Sequence, residues 1–368
     1  MNVGILTFHN AKNYGAVIQA FALKTALKKL GVNPYIINRY AGYKTIIHQI
    51  YFTLHPKFFL SRLKWILFDQ FSMRYLSPKT NKYLTFSSLN DFERRENLEA
   101  LIVGSDQVWR MEFSAIGYNY FFDFIKKNNS RKISYAASFG KDKWREHESV
   151  TNHVKKLLKD FSAISVREKS GVRICTDIFN VHATHVLDPT LLLTREDYES
   201  ILLKDYSKKI NNTLVSYLLG NIHEEIKYCN QFAQNNDLDY SDLYYIYPLR
   251  KVFSASRYGI KHYLHLSVPE WLGQIKNATY LVTNSFHATI FAILFNKQFI
   301  VVDHPEGGTD RVTSLLDVLG LKNRFVYHIS EISIELLQNE IDFDSVQSKL
   351  DLEKEQSILF LQNALFKT

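Results

Sequence analysis

The residues best suited to chemistry lie in one stretch of the chain, Tyr280–Phe295, which reads YLVTNSFHATIFAILF. The pattern predicts a short buried strand, a polar turn with Asn284, Ser285 and His287, and an apolar helix that begins at Ala288. The first backbone N–H groups of such a helix can hold an anion, and a histidine beside them can exchange protons near neutral pH. The stretch therefore predicts an anion site with an acid/base residue. The alternative is that Ser285 only caps the helix and His287 only packs.

Polar residues also follow other predicted strands. They are His9 and Asn13 after the first strand, Ser105, Asp106 and Trp109 after Ala100–Val103, Arg167 after Ala163–Val166, and Arg311 after the loop at Gly307-Gly308. In a doubly wound sheet the carboxyl ends of the strands share one edge, and ligands bind there. Residues far apart in sequence can therefore meet at that edge.

Each of these side chains has a functional and a structural interpretation. Asp106 can be a helix cap or a base, and Trp109 can be a stacking platform for a sugar ring or a core residue. The guanidinium of Arg167 suits a carboxylate or a phosphate, but it can equally pair with Glu168. A histidine such as His9 at a strand end is more often structural. The residues by themselves leave these alternatives open.

Composition and motifs exclude several classes of protein. Cys175 and Cys229 fit no Cys/His metal spacing, so neither a zinc site nor a disulfide framework is expected. The formal charge of +8 favours an anionic partner, but no nucleic-acid-binding pattern occurs. The G-x-G-x-x-G fingerprint, the P-loop and the G-x-S-x-G elbow are missing, which disfavours nicotinamide dehydrogenases, P-loop kinases and hydrolases of that type.

Apolar strands and amphipathic helices alternate in two series. The first opens with a strand at Gly4–Phe8, a helix at Ala16–Leu30 and a strand at Pro34–Asn38. The second opens with a strand at Thr213–Leu218 and continues through a predicted strand at Leu243–Tyr247. This alternation predicts an α/β fold with two Rossmann-like domains facing a ligand cleft. We expect domains at residues 1–195 and 210–345, with a helix in 346–368 that crosses back onto the first domain.

Residues 43–79 differ from the rest of the first domain. They are rich in aromatic and basic side chains and contain one acid, Asp69. A basic, aromatic helical insertion can lie on an anionic membrane surface. The alternative is a helical hairpin that covers the sheet and packs its own aromatic rings.

The sequence favours a cytoplasmic location. The N-terminal residues MNVGILTFHN lack the basic region and the long apolar region of a signal peptide. No run of eighteen apolar residues predicts a membrane span. Contact with the inner face of the cell membrane would therefore be peripheral, through residues 43–79.

Taken together, the motifs resemble those of one family, the polysaccharide pyruvyl transferases. The N-terminal GILTFHNAKNYGAVIQAFAL is followed, in the family's order, by LIVGSDQVWR, ISYAASFG, ISVREKSG, VLDPTLLL and TNSFHATIFAILF. The resemblance implies a GT-B-like architecture of two Rossmann-like domains. It also implies transfer of an enolpyruvyl-derived group from phosphoenolpyruvate to a sugar, which yields a pyruvate ketal and phosphate.

The resemblance suggests roles for particular residues. Better-studied branches carry an Arg-x-His arrangement at the turn of the second domain. Here His287 matches the histidine, but Ser285 stands in the place of the arginine. Arg167 matches the family's strand-end arginine, and Arg311 is the candidate that replaces the missing anion ligand. His287 is then the expected acid and Asp106 the expected base. The expected substrate-binding residues are Arg167, Arg311, Asn284, Ser285, Ser105, Trp109, Asn13 and His9.

No metal and no cofactor is expected, since phosphoenolpyruvate is the donor substrate. The expected acceptor is a lipid-linked or polymeric sugar of a capsule, an exopolysaccharide or a cell-wall glycan. Domain 1–195 would serve the acceptor, and domain 210–345 would hold the donor anion. Two alternatives stay open: a GT-B nucleotide-sugar glycosyltransferase, and a non-catalytic glycan-binding or assembly protein.

Overall fold

The computed structural model describes residues 1–40, 59–113, 116–126, 130–202, 212–220, 222–243, 266–304 and 308–367. Contacts divide the chain into two compact units. The first comprises Met1–Leu54, Ser72–Leu193 and Gln347–Thr368, and the second comprises His55–Phe71 and Thr194–Val346. Each unit contains its own parallel sheet.

The first unit is built around a six-stranded sheet. Its strands are β1 (Asn2–Leu6), β2 (Asn33–Ile36), β3 (Ala100–Val103), β4 (Arg131–Ala137), β5 (Ala163–Val166) and β6 (Thr184–His185). The helices of this part of the chain are α1 (Tyr14–Lys29), α2 (Phe59–Tyr75, of which only the last turn lies in this unit), α3 (Phe86–Leu89), α4 (Phe92–Arg95), α5 (Glu148–Leu158) and α6 (Lys169–Arg173). A π-helix at Ile174–Phe179 continues α6, and short 3₁₀ helices lie at Met111–Phe113, Gly117–Phe121 and Pro189–Leu192.

All pairings in this sheet are parallel, in the order β2-β1-β3-β4-β5-β6. The chain moves from β1 to one side and then returns to the other side with β3, so the strand order reverses between these two strands. Ligands of doubly wound sheets bind at the carboxyl ends of the strands at such a switch point. Here β1 ends at Leu6, which pairs with Val103 at the end of β3.

The second unit also contains a doubly wound parallel sheet, which has five strands. They are β7 (Thr213–Tyr217), β8 (Asp239–Asp242), β9 (Tyr280–Thr283), β10 (Gln298–Val302) and β11 (Phe325–Val326). The helices are α7 (Arg195–Glu199), α8 (His223–Asn235), α9 (Val268–Asn277), α10 (Phe286–Leu294), α11 (Asp310–Leu319) and α12 (Ile334–Gln338), with 3₁₀ helices at Lys322–Arg324 and Ile329–Glu331. The order β11-β10-β9-β7-β8 places the switch point between β7 and β9.

A long C-terminal helix, α13 (Phe343–Phe366), completes the chain. Its residues from Gln347 onward belong to the first unit. The Ser357 hydroxyl accepts a hydrogen bond from the Leu187 backbone N–H at 3.0 Å, and the Phe360 ring lies 6.4 Å from that of Tyr135. The predicted return of the C-terminal helix to the first sheet is therefore confirmed.

The α/β class and most predicted elements are confirmed. The strands Ala100–Val103, Ala163–Val166 and Tyr280–Thr283 have the predicted bounds. The strand predicted at Leu243–Tyr247 is wrong at its start, because the structure has β8 at Asp239–Asp242 instead, and residues 244–247 lie outside the described part of the chain. This edge strand is polar and incompletely buried, so no apolar pattern marks it.

The aromatic, basic segment at residues 43–79 is described only in part. Residues 43–58 lie outside the described ranges, and the remainder contains α2. Ile66 and Met73, one heptad apart on α2, are exposed, whereas Phe68 and Phe71 are buried. Of the helices in the described ranges, none has the length and apolar character needed to cross a bilayer.

Candidate functional site

At the switch point of the second sheet, one side chain joins the loops that follow the two neighbouring strands. Asn284 follows β9, and Leu219 follows β7. The Leu219 backbone N–H donates to Asn284 Oδ1 at 2.7 Å, and Asn284 Nδ2 donates to the Leu219 carbonyl at 2.9 Å. Just before them, the Thr283 hydroxyl donates to the Tyr217 carbonyl at 2.6 Å. Both polar ends of the Asn284 amide are therefore engaged by backbone, and Asn284 joins two loops rather than presenting its amide to a substrate.

The helix that follows Asn284 begins at Phe286, two residues earlier than the sequence predicts. Ser285 is its N-cap and accepts a hydrogen bond from the Ala288 N–H at 3.5 Å. His287 therefore lies in the first turn of α10 and not in the preceding polar turn. The hydroxyl of Ser285, three residues before Ala288, accepts the Ala288 N–H in place of a helical carbonyl. The His287 side chain is 8% exposed and contacts the Phe286 ring edge-on at 5.3 Å between centroids.

The N-terminus of α10 suits an anion. Helix N-termini carry a partial positive charge and free N–H groups, and the first turn of α10 contains no acidic residue. The corresponding helix after β7 is different, because α8 carries Glu224 and Glu225 in its first turn. These two carboxylates already compensate the α8 dipole and repel a phosphate. Within this unit, the α10 terminus is thus the better anion site.

Arg311 lies in the first turn of α11, the helix that packs beside α10. Because β10 neighbours β9, both helices begin at the same edge of the sheet. Arg311 Nε donates to the Gly308 carbonyl at 3.2 Å, and the side chain is partly buried. His287 and Arg311 therefore occupy equivalent first-turn positions on adjacent helices. This placement agrees with the prediction that Arg311 replaces the arginine that is missing beside His287.

The switch point of the first sheet is filled by a buried polar network. The Thr7 hydroxyl donates to the Ser105 carbonyl at 3.0 Å, and Gln19 Nε2 donates to Thr7 Oγ1 at 2.7 Å. The Ser105 N–H donates to Gln19 Oε1 at 3.1 Å, and the Ser105 hydroxyl contacts Asp188 Oδ2 at 2.8 Å. All four residues are buried. The expectation that Ser105 binds substrate is corrected, because its hydroxyl is enclosed and pairs with protein groups.

Arg167 is enclosed by carboxylates. Its guanidinium contacts Asp188 Oδ2 at 2.9 Å, Asp106 Oδ1 at 3.3 Å and Glu168 Oε2 at 3.8 Å, and its side chain is fully buried. Although burial disfavours the charged form, these carboxylates raise the pKa of Arg167. A donor anion has no access to the guanidinium in this arrangement. We expected Arg167 to bind the phosphate or carboxylate of the donor substrate. In the structure, its guanidinium instead pairs with acidic side chains of the protein.

Asp106 is the exposed end of this network. Its Oδ1 accepts from the Gln107 N–H at 2.8 Å and from Arg167 Nη2 at 3.3 Å. Within the described ranges, no residue donates a hydrogen bond to Oδ2, and the side chain is 13% exposed. Asp106 is thus a carboxylate held through one oxygen, with the other oxygen left to accept a proton.

Three further predicted ligands have structural surroundings. Trp109 is fully buried, stacks on Phe121 at 5.3 Å and donates its indole N–H to the Tyr120 carbonyl at 3.0 Å, so it offers no platform to a sugar. His9 is buried between the Thr7 carbonyl and the Asn38 side chain, and burial lowers its pKa to about 4. Asn13 caps α1 by accepting from the Ala16 N–H at 3.2 Å. Trp109 and His9 are thus enclosed by protein groups, whereas Asn13 is exposed and its binding role stays a prediction.

Sequence reasoning missed Asp188 and Gln19 as parts of the first network. Asp188 Oδ1 accepts from the backbone N–H and the hydroxyl of Thr190, while Oδ2 meets Ser105 and Arg167. The signal that could have identified it is an aspartate between a strand and Pro189, where an unpaired acid would be costly. Among the described residues, no group of His, Cys, Asp or Glu side chains is arranged to hold a metal ion.

Two doubly wound parallel sheets, each with its polar groups at the switch point, define an α/β protein of the GT-B-like class. The fold is similar to that of a putative UDP-N-acetylglucosamine 2-epimerase from Listeria monocytogenes (TM-score 0.60, 10% identity, 100% of this chain and 97% of that chain). It is also similar to Arabidopsis thaliana UGT89C1 (TM-score 0.56, 10% identity, 99% of each chain) and to S. aureus MnaA in a co-structure with UDP (TM-score 0.55, 12% identity, 99% and 96%). At these identities the likeness concerns the fold alone.

The family is shown by the sequence. Residues 13–306 match the family described as polysaccharide pyruvyl transferase, which is most of the chain. The chain belongs to this family, as the order of its motifs predicted. A comparison with curated proteins gives no match.

Proposed function

We propose that this protein transfers an enolpyruvyl-derived group from phosphoenolpyruvate to a sugar of a capsular, exopolysaccharide or cell-wall glycan, forming a pyruvate ketal. The family supports a transferase of polysaccharide synthesis. The observation that carries the donor assignment is the N-terminus of α10, where Ser285 caps an acid-free first turn that contains His287. A helix terminus of this kind favours a phosphorylated or carboxylated donor.

The second unit is the proposed donor side. Phosphoenolpyruvate carries a phosphate and a carboxylate, which need positive charge and N–H donors. In the proposal, the backbone N–H groups at the N-terminus of α10 and the guanidinium of Arg311 supply them. Asn284 acts indirectly, because its clamp on Leu219 fixes the start of the turn that leads into α10. No metal is needed in this scheme.

The proposed acid is His287. It gives a proton to the methylene carbon of phosphoenolpyruvate, which becomes a methyl group, and the adjacent carbon acquires oxocarbenium character. One sugar hydroxyl attacks that carbon and loses its proton to a base. A second hydroxyl of the sugar then attacks the same carbon and passes its proton to the imidazole of His287. The bond between that carbon and the phosphate oxygen breaks, phosphate leaves with the proton held by the base, and the carbon is left bonded to two sugar oxygens. Positioned acid/base groups typically accelerate such proton transfers by 10²–10⁴-fold.

The first unit is the proposed acceptor side, with Asp106 as the base. One guanidinium there is surrounded by three carboxylates, those of Asp106, Glu168 and Asp188. Their excess negative charge repels a phosphate but suits the removal of a proton from a neutral hydroxyl. Arg167 is then a positioning residue, since it holds Oδ1 of Asp106 and leaves Oδ2 for the proton.

The test is a reaction with phosphoenolpyruvate and a panel of lipid-linked and polymeric sugars. Released phosphate and a new ketal methyl group on the sugar are the expected products. If nucleotide sugars support turnover and phosphoenolpyruvate never does, the alternative of a nucleotide-sugar glycosyltransferase replaces the proposal. Saccharide binding without turnover over the whole donor panel would make the protein a glycan-binding or assembly protein.

Ligand-induced stabilisation separates the donor classes before any acceptor is known. A ligand at 100 times its dissociation constant stabilises the folded state by about 2.7 kcal/mol. Phosphoenolpyruvate should raise the melting temperature, and Arg311→Ala should abolish that rise. Lys322→Ala, which removes an exposed cation of the same unit, is the matched control and should keep it. A rise with nucleoside diphosphates and none with phosphoenolpyruvate would contradict the donor assignment.

Peripheral contact with a membrane is a separate part of the proposal. A lipid-linked acceptor would be presented at the inner face of the cell membrane, and α2 carries exposed Ile66 and Met73 beside Arg74. Co-sedimentation with vesicles that contain anionic lipid, lost at high salt, is expected. Ile66→Glu/Met73→Glu should reduce the bound fraction. Absence of binding at low salt would remove the membrane from the proposal.

A further inference from the structure

The C-terminal helix α13 exposes three large apolar side chains that recur every seven residues. Leu352, Leu359 and Phe366 are 65%, 52% and 52% exposed, respectively. Residues seven apart on a helix lie almost on one line along its surface. These three residues, called the apolar stripe below, therefore form a continuous seam on the outward side of a helix whose opposite side packs on the first unit.

The surface beside this seam has the geometry of a helix-packing acceptor. A shallow groove is lined by Asp351, Lys354, Glu355, Ile358, Leu359 and Gln362. In knobs-into-holes packing, a side chain of one helix enters a hole formed by residues i, i+3, i+4 and i+7 of another. The lining residues form two such holes, one from 351 to 358 and one from 355 to 362. The groove and the stripe together thus provide both halves of a helix–helix contact.

The charges on this face favour a second copy of α13 as the partner, in the antiparallel direction. If two copies of α13 pair antiparallel about Leu359, Leu352 of one copy lies opposite Phe366 of the other. The same register sets exposed Asp351 opposite exposed Lys367 of the second copy, twice by symmetry. A parallel pair would instead set Asp351 against its own counterpart. On this face the acids Asp351 and Glu355 balance the lysines Lys354 and Lys367, so it lacks the excess of basic residues that contact with an anionic lipid surface needs.

We propose that the apolar stripe of α13 pairs antiparallel with α13 of a second copy of this chain, and that the protein is a homodimer through this helix. Three apolar side chains from each copy make a small interface, below the size class of permanent dimers. The dimer is therefore concentration dependent. The proposal does not depend on the reaction that the protein catalyses.

The first test is the mass of the full-length protein over a concentration series, measured by light scattering or sedimentation. The wild type should change from monomer to dimer as concentration rises. Leu359→Lys should remain monomeric with an unchanged melting temperature, because the replaced side chain is more than half exposed. The matched control is Tyr327→Lys, at an exposed aromatic residue of the second unit, which should dimerise like the wild type.

Direction is tested by charge exchange and by crosslinking. Asp351→Lys and Lys367→Glu should each weaken the dimer at least several-fold, and the two together should restore it, because each lysine again meets an acid. A mixture of Leu352→Cys and Phe366→Cys protein should form a disulfide, whereas Leu352→Cys alone should not. Disulfide formation through the native cysteines should be low, because both of them are buried.

Three results would overturn the proposal. They are a wild type that is monomeric at every concentration, a Leu359→Lys variant that still dimerises, and disulfide formation by Leu352→Cys alone, which indicates parallel pairing. Flotation of a monomeric wild type with lipid vesicles, lost in Leu359→Lys, would reassign the stripe to a membrane.

Discussion

Asn284 is clamped to the backbone of Leu219 by two hydrogen bonds of opposite direction, at 2.7 and 2.9 Å. The clamp lies where the strand order of the second sheet reverses, directly before the helix that carries His287. An amide is well suited to this position because it offers a donor and an acceptor side by side. The sequence suggests Asn284 as a substrate ligand, but in the structure Asn284 holds the two loops together at the start of α10.

Removing this clamp should cost stability in a way that depends on the substituent. Asn284→Ala leaves a Leu219 N–H and carbonyl without their partner and should destabilise the fold by about 1–3 kcal/mol. Asn284→Asp keeps the acceptor for the N–H but sets a carboxylate oxygen against the Leu219 carbonyl, so it should be at least as harmful. Urea unfolding measures both. Equal stability of the wild type and both variants would show that the clamp contributes nothing.

Replacing His287 should remove turnover and leave the fold intact. In the proposed reaction, His287→Gln has no proton to give to the methylene carbon, so the rate should fall by 10²–10⁴-fold. The melting temperature, and its rise with phosphoenolpyruvate, should persist because Arg311 and the α10 terminus still hold the donor. The control is His223→Ala, at an exposed position of α8. A His287→Gln variant with full activity would remove this residue from the acid role.

The buried charge network should respond strongly to the loss of one acid. Asp188→Ala takes from Arg167 its closest carboxylate, and breaking a buried pair from one side typically costs 3–5 kcal/mol. Glu112→Ala is the matched comparison, because Glu112 also contacts two cations but is half exposed. Its loss should cost less than about 1 kcal/mol. Chemical denaturation of both variants at neutral pH decides the difference, and similar costs would contradict a structural role for Asp188.

His9 should make the fold less stable in acid. Burial lowers the pKa of His9 from 6.5 to about 4, so the unfolded chain takes up a proton at a higher pH than the folded one. Stability is therefore complete above pH 6.5 and is lost as the pH falls toward 4, by about 2 kcal/mol at pH 5. His9→Gln cannot bind this proton, and its unfolding free energy should change less between pH 7 and pH 5. A variant with the wild-type pH dependence would contradict this account.

The local elements of the fold follow from the sequence because their signals are local. The buried strands Ala100–Val103 and Tyr280–Thr283 are apolar runs bounded by polar turns, and periodicity is sufficient to place them. Edge strand β8 has no such run, since its residues are partly exposed, and it was misplaced. The sequence predicts the start of α10 at Ala288, two residues after its observed start at Phe286, since the choice between a turn and a capped helix depends on the hydrogen bond of Ser285.

The roles of the polar residues at the strand ends could not be predicted from local sequence patterns. The residue types and positions of Arg167 and Asp106 both fit a substrate-binding role. Only folding brings Asp188 to the guanidinium and leaves one oxygen of Asp106 without a donor among the residues that the structure describes. The number of charges around a side chain is a property of tertiary structure, because it depends on residues distant in sequence, such as Arg167 and Asp106, which lie 61 positions apart.

By itself, the sequence determined the α/β class, the two series of strands and helices, the family and the candidate acid His287, since these follow from periodicity and from ordered motifs. Tertiary structure decided which polar side chains are already paired. It joined Asn284 to Leu219, enclosed Arg167 and Trp109, and placed His287 and Arg311 in the first turns of adjacent helices. The physical reason is that burial and hydrogen bonding, which fix whether a polar group can bind or react, arise from contacts between segments distant in the chain.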